Sequence, residues 1–315
     1  MQFINSFKEG ERIKGIYLCK KRISATTKNG KDYEILALQD KTGSIDAKIW
    51  NPTNPSFGDF KPMDYVYVVG DITLFNDSLQ FNLQRAIIAP VGSFEPEDYL
   101  PSADFPIEDM YKELLSYAGS VKNKYLSALL NSFFVEDETF IKSFKAHTAA
   151  KTVHHDVIGG LLQHSLAVTK LCDFYAKNYK FLNRDLLISI AMLHDIGKTK
   201  ELSLLPENDY TDEGQLIGHI VIGTEMITNH IIKIDGFPEI LALEVKHCIL
   251  SHHGKMEYGS PKIPAIAEAM ALNFADDMDA RMNYVENLEK GQPYSGEWMG
   301  YQRIMETNIR KTSIE

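Results

Sequence analysis

Five stretches of the chain set a metal-capable side chain on an apolar helical stripe. In GGLLQHSLAVTKLCDFY, Leu161, His164, Val168, Leu171 and Tyr175 share one helical face. In DLLISIAMLHDIGK, Leu187 and Ile190 precede His194 on one face, and Asp195 and Lys198 follow within a turn. QLIGHIVIGTEMI aligns Leu216, His219, Ile220, Gly223 and Ile227. EILALEVKHCILSHHG aligns Leu241, Val245, Cys248 and His252, with His253 beside them. AEAMALNFADDMDA sets Asp276 after Ala269 and Leu272, with Asp277 on a neighbouring face. A single histidine on such a stripe is usually a core residue bonded to a carbonyl. Several of them together with inward carboxylates change the balance, because burying unpaired polar groups costs roughly 1–3 kcal/mol each. A divalent cation would satisfy them together. Imidazole with carboxylate suits Mn, Fe, Zn or Co, and the absence of cysteine from the cluster argues against a structural zinc site.

These residues belong to a helical region that begins after an all-β one. Segments near 12–24, 32–39, 43–50, 65–75 and 79–88 are rich in Ile, Val, Tyr, Phe and Leu and are separated by KNGK, DKTG and FNDS. Asn-Gly favours a tight hairpin because both residues tolerate positive φ. NPTNPSFGDFKP interrupts the third and fourth segments with prolines and glycine. Five short strands with one longer connection suit a small closed barrel, an OB-fold over residues 1–90. Residues 91–106, VGSFEPEDYLPSADFP, read as a linker with three prolines and no period. Residues 107–315 read as helical, with helices near 107–118, 122–134, 138–146, 160–178, 184–196, 215–232, 238–253 and 263–288. The expected class is therefore multidomain α+β, a five-stranded barrel followed by an all-α bundle.

Composition sets the bounds. The 315 residues carry 44% hydrophobic and 24% charged side chains, ordinary for a globular protein with two domains. No apolar run reaches the roughly 18 residues of a membrane span, and MQFINSFKEGER lacks the apolar core of a signal peptide. Three scattered cysteines form neither a disulfide framework nor a CxxC pair, so a cytoplasmic location is expected. The net charge of −10 argues against a polyanion partner at first. The charge is uneven, however. Residues 1–95 hold 12 basic and 11 acidic side chains, against 21 and 32 in the rest, and residues 8–31 hold eight basic and two acidic. A local basic surface on the barrel could meet a polyanion, and a solvated lysine-rich face reads equally well.

His164, His194-Asp195 and Asp276 resemble the H…HD…D signature of the HD-domain superfamily of metal-dependent phosphohydrolases, over roughly residues 145–290. His219 and the His252-His253 pair resemble the additions of its two-metal members. GDITLFNDSLQFNLQRA, HHDVIGGLLQHSLAV, LHDIGK and SHHGKMEYGSP further resemble the YhaM family of bacterial 3′→5′ exoribonucleases, which joins an OB domain to an HD domain. The resemblance implies an all-helical HD bundle and release of nucleoside 5′-monophosphates from single-stranded RNA, with single-stranded DNA as a second candidate substrate.

It also implies roles. Asp195 would bridge two cations roughly 3.5–4 Å apart. His164, His194 and Asp276 would complete one shell, and His219 with His252 or His253 the other. The metal is expected to be Mn, with Fe, Co, Zn or Mg as alternatives, two ions per site. Asp195 and Lys198 are the expected catalytic residues, Lys198 neutralising phosphoryl charge; a surface lysine at a helix end is its structural alternative. His154, His155 and Gly160 are candidate phosphate contacts near a helix N-terminus. His147, His230 and His247 read as core or surface residues, and Asp279 and Arg281 as supports for ligands. On the barrel, Lys20, Lys21, Arg22, Lys28, Tyr33, Phe75 and Arg85 are candidate nucleic-acid contacts, while Trp50 and Phe81 read equally as stacking platforms or as core. An acidic catalytic unit facing a polyanion hints at a homo-oligomer that shapes a channel. Two other functions stay open. One is hydrolysis of a small nucleotide, the cyclic dinucleotide branch being disfavoured because HHGKMEYGSP lacks its GYP continuation. The other is a non-catalytic nucleic-acid binding module.

Overall fold

The computed structural model describes residues 2–27, 29–75, 78–95, 98–100, 103, 105–150, 157–291 and 297–313. The chain folds as two units, residues 1–102 with 205–207 and residues 103–204 with 208–315.

In the first unit, alternation of apolar and polar residues gives strands with one buried face. β1 (Arg12–Thr26), β2 (Asp32–Asp40), β3 (Gly43–Ile49), β4 (Tyr65–Phe75) and β5 (Ser78–Ile88) close into a barrel in the order β1-β2-β3-β5-β4. β3 and β5 pair in parallel, and the other neighbours are antiparallel. This is the five-stranded Greek-key barrel of the OB-fold. β1 serves both sides of the closure, pairing Leu18–Thr26 with β2 and Arg12–Leu18 with β4. A register shift between Cys19 and Lys21 bends it. Inside, Phe7, Tyr17 and Phe81 meet edge to face at 5.9–6.3 Å, among Leu36, Leu38, Val66, Val68 and Ile72. Phe81 is therefore core. Trp50 is not, at 53% exposed.

The segment expected as a linker departs from that reading. Phe94 stacks on Tyr65 at 4.0 Å and Tyr99 meets the same ring edge-on at 5.1 Å. Gln39 Nε2 donates to Tyr99 O, and Lys41 pairs with Asp98 at 2.6 Å. Its aromatic residues find a ring on β4, which no local periodicity announces.

The second unit holds α1 (Ile107–Gly119), α2 (Lys124–Phe134), α3 (Glu138–Ala146), α4 (Gly160–Asn178), α5 (Arg184–Leu193), α6 (Lys198–Glu201), α7 (Asp212–Leu216), α8 (His219–Ile231), α9 (Glu239–Ser251) and α10 (Ala267–Gly291). Asn123, Asp137, Asn183 and Thr211 cap their helices through side-chain oxygens. α5 is buried on every side from Leu186 to Leu193, the mark of a central helix. α4 packs against it, and α1, α9 and α10 enclose the pair around one apolar core.

Three details differ from the sequence expectation. The helix expected over 184–196 ends at Leu193, so His194-Asp195 occupies a tight turn. The helix expected over 215–232 is two, α7 and α8, parted at Gly218, which takes φ +80°. The region is also not wholly helical. β6 (Trp298–Gln302) and β7 (Thr307–Arg310) form an antiparallel hairpin, since Trp298, Tyr301 and Ile309 favour strand and Glu306 turns with positive φ. Among the described residues no helix is long and apolar enough to cross a membrane.

Candidate metal centre

Five helix ends and faces converge. α4 carries His164, the turn after α5 carries His194 and Asp195, α8 opens with His219, α9 is followed by His252 and His253, and α10 carries Asp276. Glycines permit the closest approaches. A Cβ on Gly197 would lie 2.0 Å from His219 O, so the HDIGK turn accepts the start of α8 only with glycine there. Gly254, at φ +78°, ends the His-His pair, and Asn273 Nδ2 from α10 donates to His252 O at 2.7 Å.

All five imidazoles are oriented through Nδ1. His194, His252 and His253 point Nδ1 at the carbonyls of Ala191, Ile249 and Tyr258 at 2.7–2.9 Å. A carbonyl only accepts, so these nitrogens carry the proton and Nε2 keeps its lone pair. His164 Nδ1 meets Asp279 Oδ2 at 2.6 Å, and His219 Nδ1 meets Glu201 Oε1 at 2.9 Å. Carboxylates behind metal-binding imidazoles fix ring orientation and raise ligand basicity.

The inward atoms fall into two groups that share Asp195. Its Oδ2 lies 3.5 Å from His164 Nε2 and 3.4 Å from His194 Nε2, and Asp276 Oδ1 lies 3.1 Å from His164 Nε2. Its Oδ1 lies 3.5 Å from His219 Nε2 and 3.6 Å from His252 Nε2. His253 joins the second group, whose ligand atoms all fall within 4.8 Å of one another. Metal–ligand bonds of about 2.0–2.2 Å put neighbouring donors roughly 3.0–3.5 Å apart, the spacing seen here.

The donor set fits a divalent cation on chemical grounds. Asp195 Oδ1, His219 Nε2 and His252 Nε2 are buried without a hydrogen-bond partner, and they face one another. Three converging acceptors without a donor are an expensive arrangement unless a cation lies among them. In the first group, His164 Nε2 and His194 Nε2 approach to 3.1 Å. Burial disfavours a charged His164, but Asp276 and Asp279 outweigh it and raise its pKa to about 10. Burial likewise opposes ionisation of Asp195, yet the Lys198 ammonium, the first of its charged neighbours, holds its carboxyl well below the ordinary range. Burial, joined by His252, pushes His253 down to about 4, leaving it a neutral donor.

Lys198 is at the site, not on an open surface: Nζ lies 2.6 Å from Asp195 Oδ2 and the side chain is 12% exposed. Asp276 is 14% exposed at the rim. Asp279 supports His164. Arg281 does not reach a ligand, because Asp277 holds its guanidinium at 2.7 Å. Gly160 is a poor phosphate contact: its amide donates to Val157 O, and the next amide, Leu161, donates to His147 O. His154 and His155 lie outside the described residues. His147 is buried between Ser143 and Leu202, His230 stacks on Phe133 at 3.8 Å, and His247 accepts from the Ala265 amide. Sequence reasoning missed Glu201, a buried acid six residues after Asp195, and Asn273. Neither sits at a spacing that marks it, since each acts through a crossing of two elements.

On the barrel, Tyr33 and Trp50 stack at 5.3 Å and Lys48 Nζ lies 5.2 Å from the Tyr33 ring. Phe75 is exposed at the end of β4, Arg85 is exposed on β5 opposite Val69, and Lys20 and Lys21 lie at the β1 bulge. Lys28 is outside the described residues. Arg22 departs from its expected role. Its guanidinium grips both oxygens of Glu34, donates to Phe60 O and lies over the Phe60 ring at 4.0 Å, which commits it to the barrel wall.

The fold and the His/Asp centre define a class, a helical HD domain that follows an OB barrel in the chain. The HD domain family model matches residues 161–281. The 3'-5' exoribonuclease YhaM of Bacillus subtilis (strain 168) is 35% identical over 290 residues, covering 90% of each chain. Its counterpart from Geobacillus sp. (strain WCH70) is 35% identical over 291 residues, 91% of this chain and 88% of that one. That of Bacillus pumilus (strain SAFR-032) is 35% identical over 296 residues, 92% of each. The chain belongs to the YhaM family.

Proposed function

We propose that this protein is a metal-dependent 3′→5′ exoribonuclease that shortens single-stranded RNA and releases nucleoside 5′-monophosphates. The single observation that carries the metal requirement is the set of buried, partnerless acceptors on Asp195, His219 and His252. The relatives' activity supplies the polarity and the substrate class. Two cations are expected, Mn first, with Fe, Co, Zn or Mg as alternatives. Asp195 would hold both through its two oxygens, His164, His194 and Asp276 completing one set and His219, His252 and His253 the other. Divalent cations, when bound, stabilise phosphoryl charge and lower the pKa of a water ligand. The chain's own residues do the rest. Asp279 and Glu201 keep the rings of His164 and His219 aimed inward. Lys198, whose ammonium Asp195 keeps protonated despite burial, supplies positive charge beside the phosphoryl oxygens. On the barrel, Tyr33 and Trp50 offer a stacked aromatic surface and Lys48 a phosphate contact. Single-stranded DNA is a second candidate substrate, and self-association remains part of the proposal because the acidic unit alone would repel a polyanion.

The test is a time course on 5′-labelled single-stranded RNA with Mn²⁺. A ladder shrinking by single nucleotides from the 3′ end is expected, stopped by a 3′ phosphate block and abolished in Asp195→Ala. Release from free nucleotides with oligonucleotides left intact would contradict the proposal and favour a small-nucleotide phosphohydrolase.

A further inference from the structure

The C-terminal hairpin presents a face that nothing in the metal centre uses. Its register pairs Trp298 with Arg310 and Tyr301 with Asn308, so these four side chains share one side of the ribbon. Trp298 is 60% and Tyr301 63% exposed. The opposite side is anchored. Met299 is buried, Gln302 accepts from Tyr284 Oη of α10 at 2.7 Å, and Arg281 Nη1 approaches Met305 Sδ at 3.9 Å. Two large rings held outward on one side of a docked ribbon form an exposed apolar surface.

Charge and position indicate what covers it. Residues 297–311 hold Arg303, Arg310 and Lys311 against Glu297 and Glu306, a basic excess, although the chain beyond residue 95 is acidic, with 21 basic against 32 acidic side chains. Arg310 pairs with Glu297 and donates to Lys311 O, and it stands opposite Trp298 in the strand register. The ribbon docks on α10 at Tyr284, eight residues or about 12 Å beyond Asp276. Aromatic rings interleaved with arginine suit stacked bases on a charged backbone.

We infer that the outer face of the hairpin, Trp298 and Tyr301 with Arg310 and Asn308, is a stacking platform for single-stranded RNA that holds the strand a few nucleotides away from the metal centre. This inference rests on the RNA reading above and adds a contact surface on the catalytic unit itself.

Trp50 and Trp298 are the two tryptophans of the chain, which makes the test direct. Trp50→Phe leaves the hairpin indole as the single reporter. The Mn²⁺-loaded variant is titrated with a hydrolysis-resistant phosphorothioate oligouridylate of about 12 nucleotides. Saturable quenching of the Trp298 emission by roughly a third or more is expected, because bases stack on the ring. In parallel, the double variant Trp298→Ala, Tyr301→Ala is assayed on a 5′-labelled RNA of about 20 nucleotides. KM should rise about five- to tenfold with kcat within about twofold, and circular dichroism melts check that the fold is kept. Absence of quenching, or an unchanged KM in a folded double variant, overturns the inference. An emission that responds to protein concentration and not to the oligonucleotide also overturns it, and assigns the face to contact between copies. Quenching without any RNA shortening would leave this platform standing while the exoribonuclease reading fell.

Discussion

Replacing Glu201 by glutamine removes a charge behind His219 while keeping the side chain's shape. Glu201 is 8% exposed, and its Oε1 accepts from both Nδ1 and the backbone amide of His219 at 2.9 Å. Burial works against its ionisation, and His219 more than compensates, lowering the carboxyl pKa. Glutamine can still accept one of these bonds, but charge-assisted bonds are about twice as strong as neutral ones. Partners of this kind typically change metal affinity 10–100-fold, or about 1.4–2.7 kcal/mol. Asp279→Asn does the same to His164, in the other donor group. Mn²⁺ titration by calorimetry, with bound Mn²⁺ counted by electron paramagnetic resonance, should therefore show one weakened binding step in each variant and a different step in the two. Isotherms that superimpose on the parent's in both variants would refute the reasoning, because neither carboxylate would then be acting through its histidine.

Gly197→Ala should lower activity by at least about tenfold and stability by about 1–3 kcal/mol, since its Cβ would collide with His219 O and push α8 outward; parent-like turnover and melting temperature would contradict that. Asp173 joins α4 to α5 through Arg184 at 2.8 Å and pairs within α4 with Lys177 at 2.6 Å. Burial raises its pKa, but the two cations outweigh burial and lower it. Its stabilisation is therefore full above the unfolded value near pH 4 and disappears as pH falls through the folded value. The melting difference between parent and Asp173→Asn should be constant from pH 7 to about pH 5 and shrink towards pH 3; a difference independent of pH would count against this ion pair. Arg22→Ala should reduce the urea midpoint of the barrel with little effect on RNA affinity. Tyr33→Ala should do the reverse, costing about 1–3 kcal/mol of binding; filter binding alongside urea melts separates them.

The elements were legible where burial is periodic. DYEILALQD, an apolar run bounded by KNGK and DKTG, forms β2 with alternating burial, and the LLQHSLAV stripe places His164 on the inner face of α4. The stripes also brought forward His194, His219 and His252, because a buried imidazole interrupts an apolar pattern at a recognisable step. Residues that act through tertiary crossings left no such mark. Glu201 matters because Gly218 turns the chain so that the His219 amide and ring both reach it. Arg22 looked like a phosphate contact on charge alone, yet Glu34 lies one strand away and Phe60 supplies a carbonyl and a ring. The hairpin was hidden because a five-residue and a four-residue strand are too short for a period, and its anchors lie on α10. The Phe94–Tyr65–Tyr99 cluster similarly depends on a ring some thirty residues upstream.

Asp195 joins the two donor groups through its two oxygens. The most direct measurement is Mn²⁺ stoichiometry per chain, with the electron paramagnetic resonance spectrum of the loaded protein, for the parent and Asp195→Asn. Two ions with an exchange-coupled spectrum in the parent, and loss of that coupling with at most one ion in the variant, are predicted. A parent that binds a single uncoupled ion, or a variant that keeps a coupled pair, would contradict it.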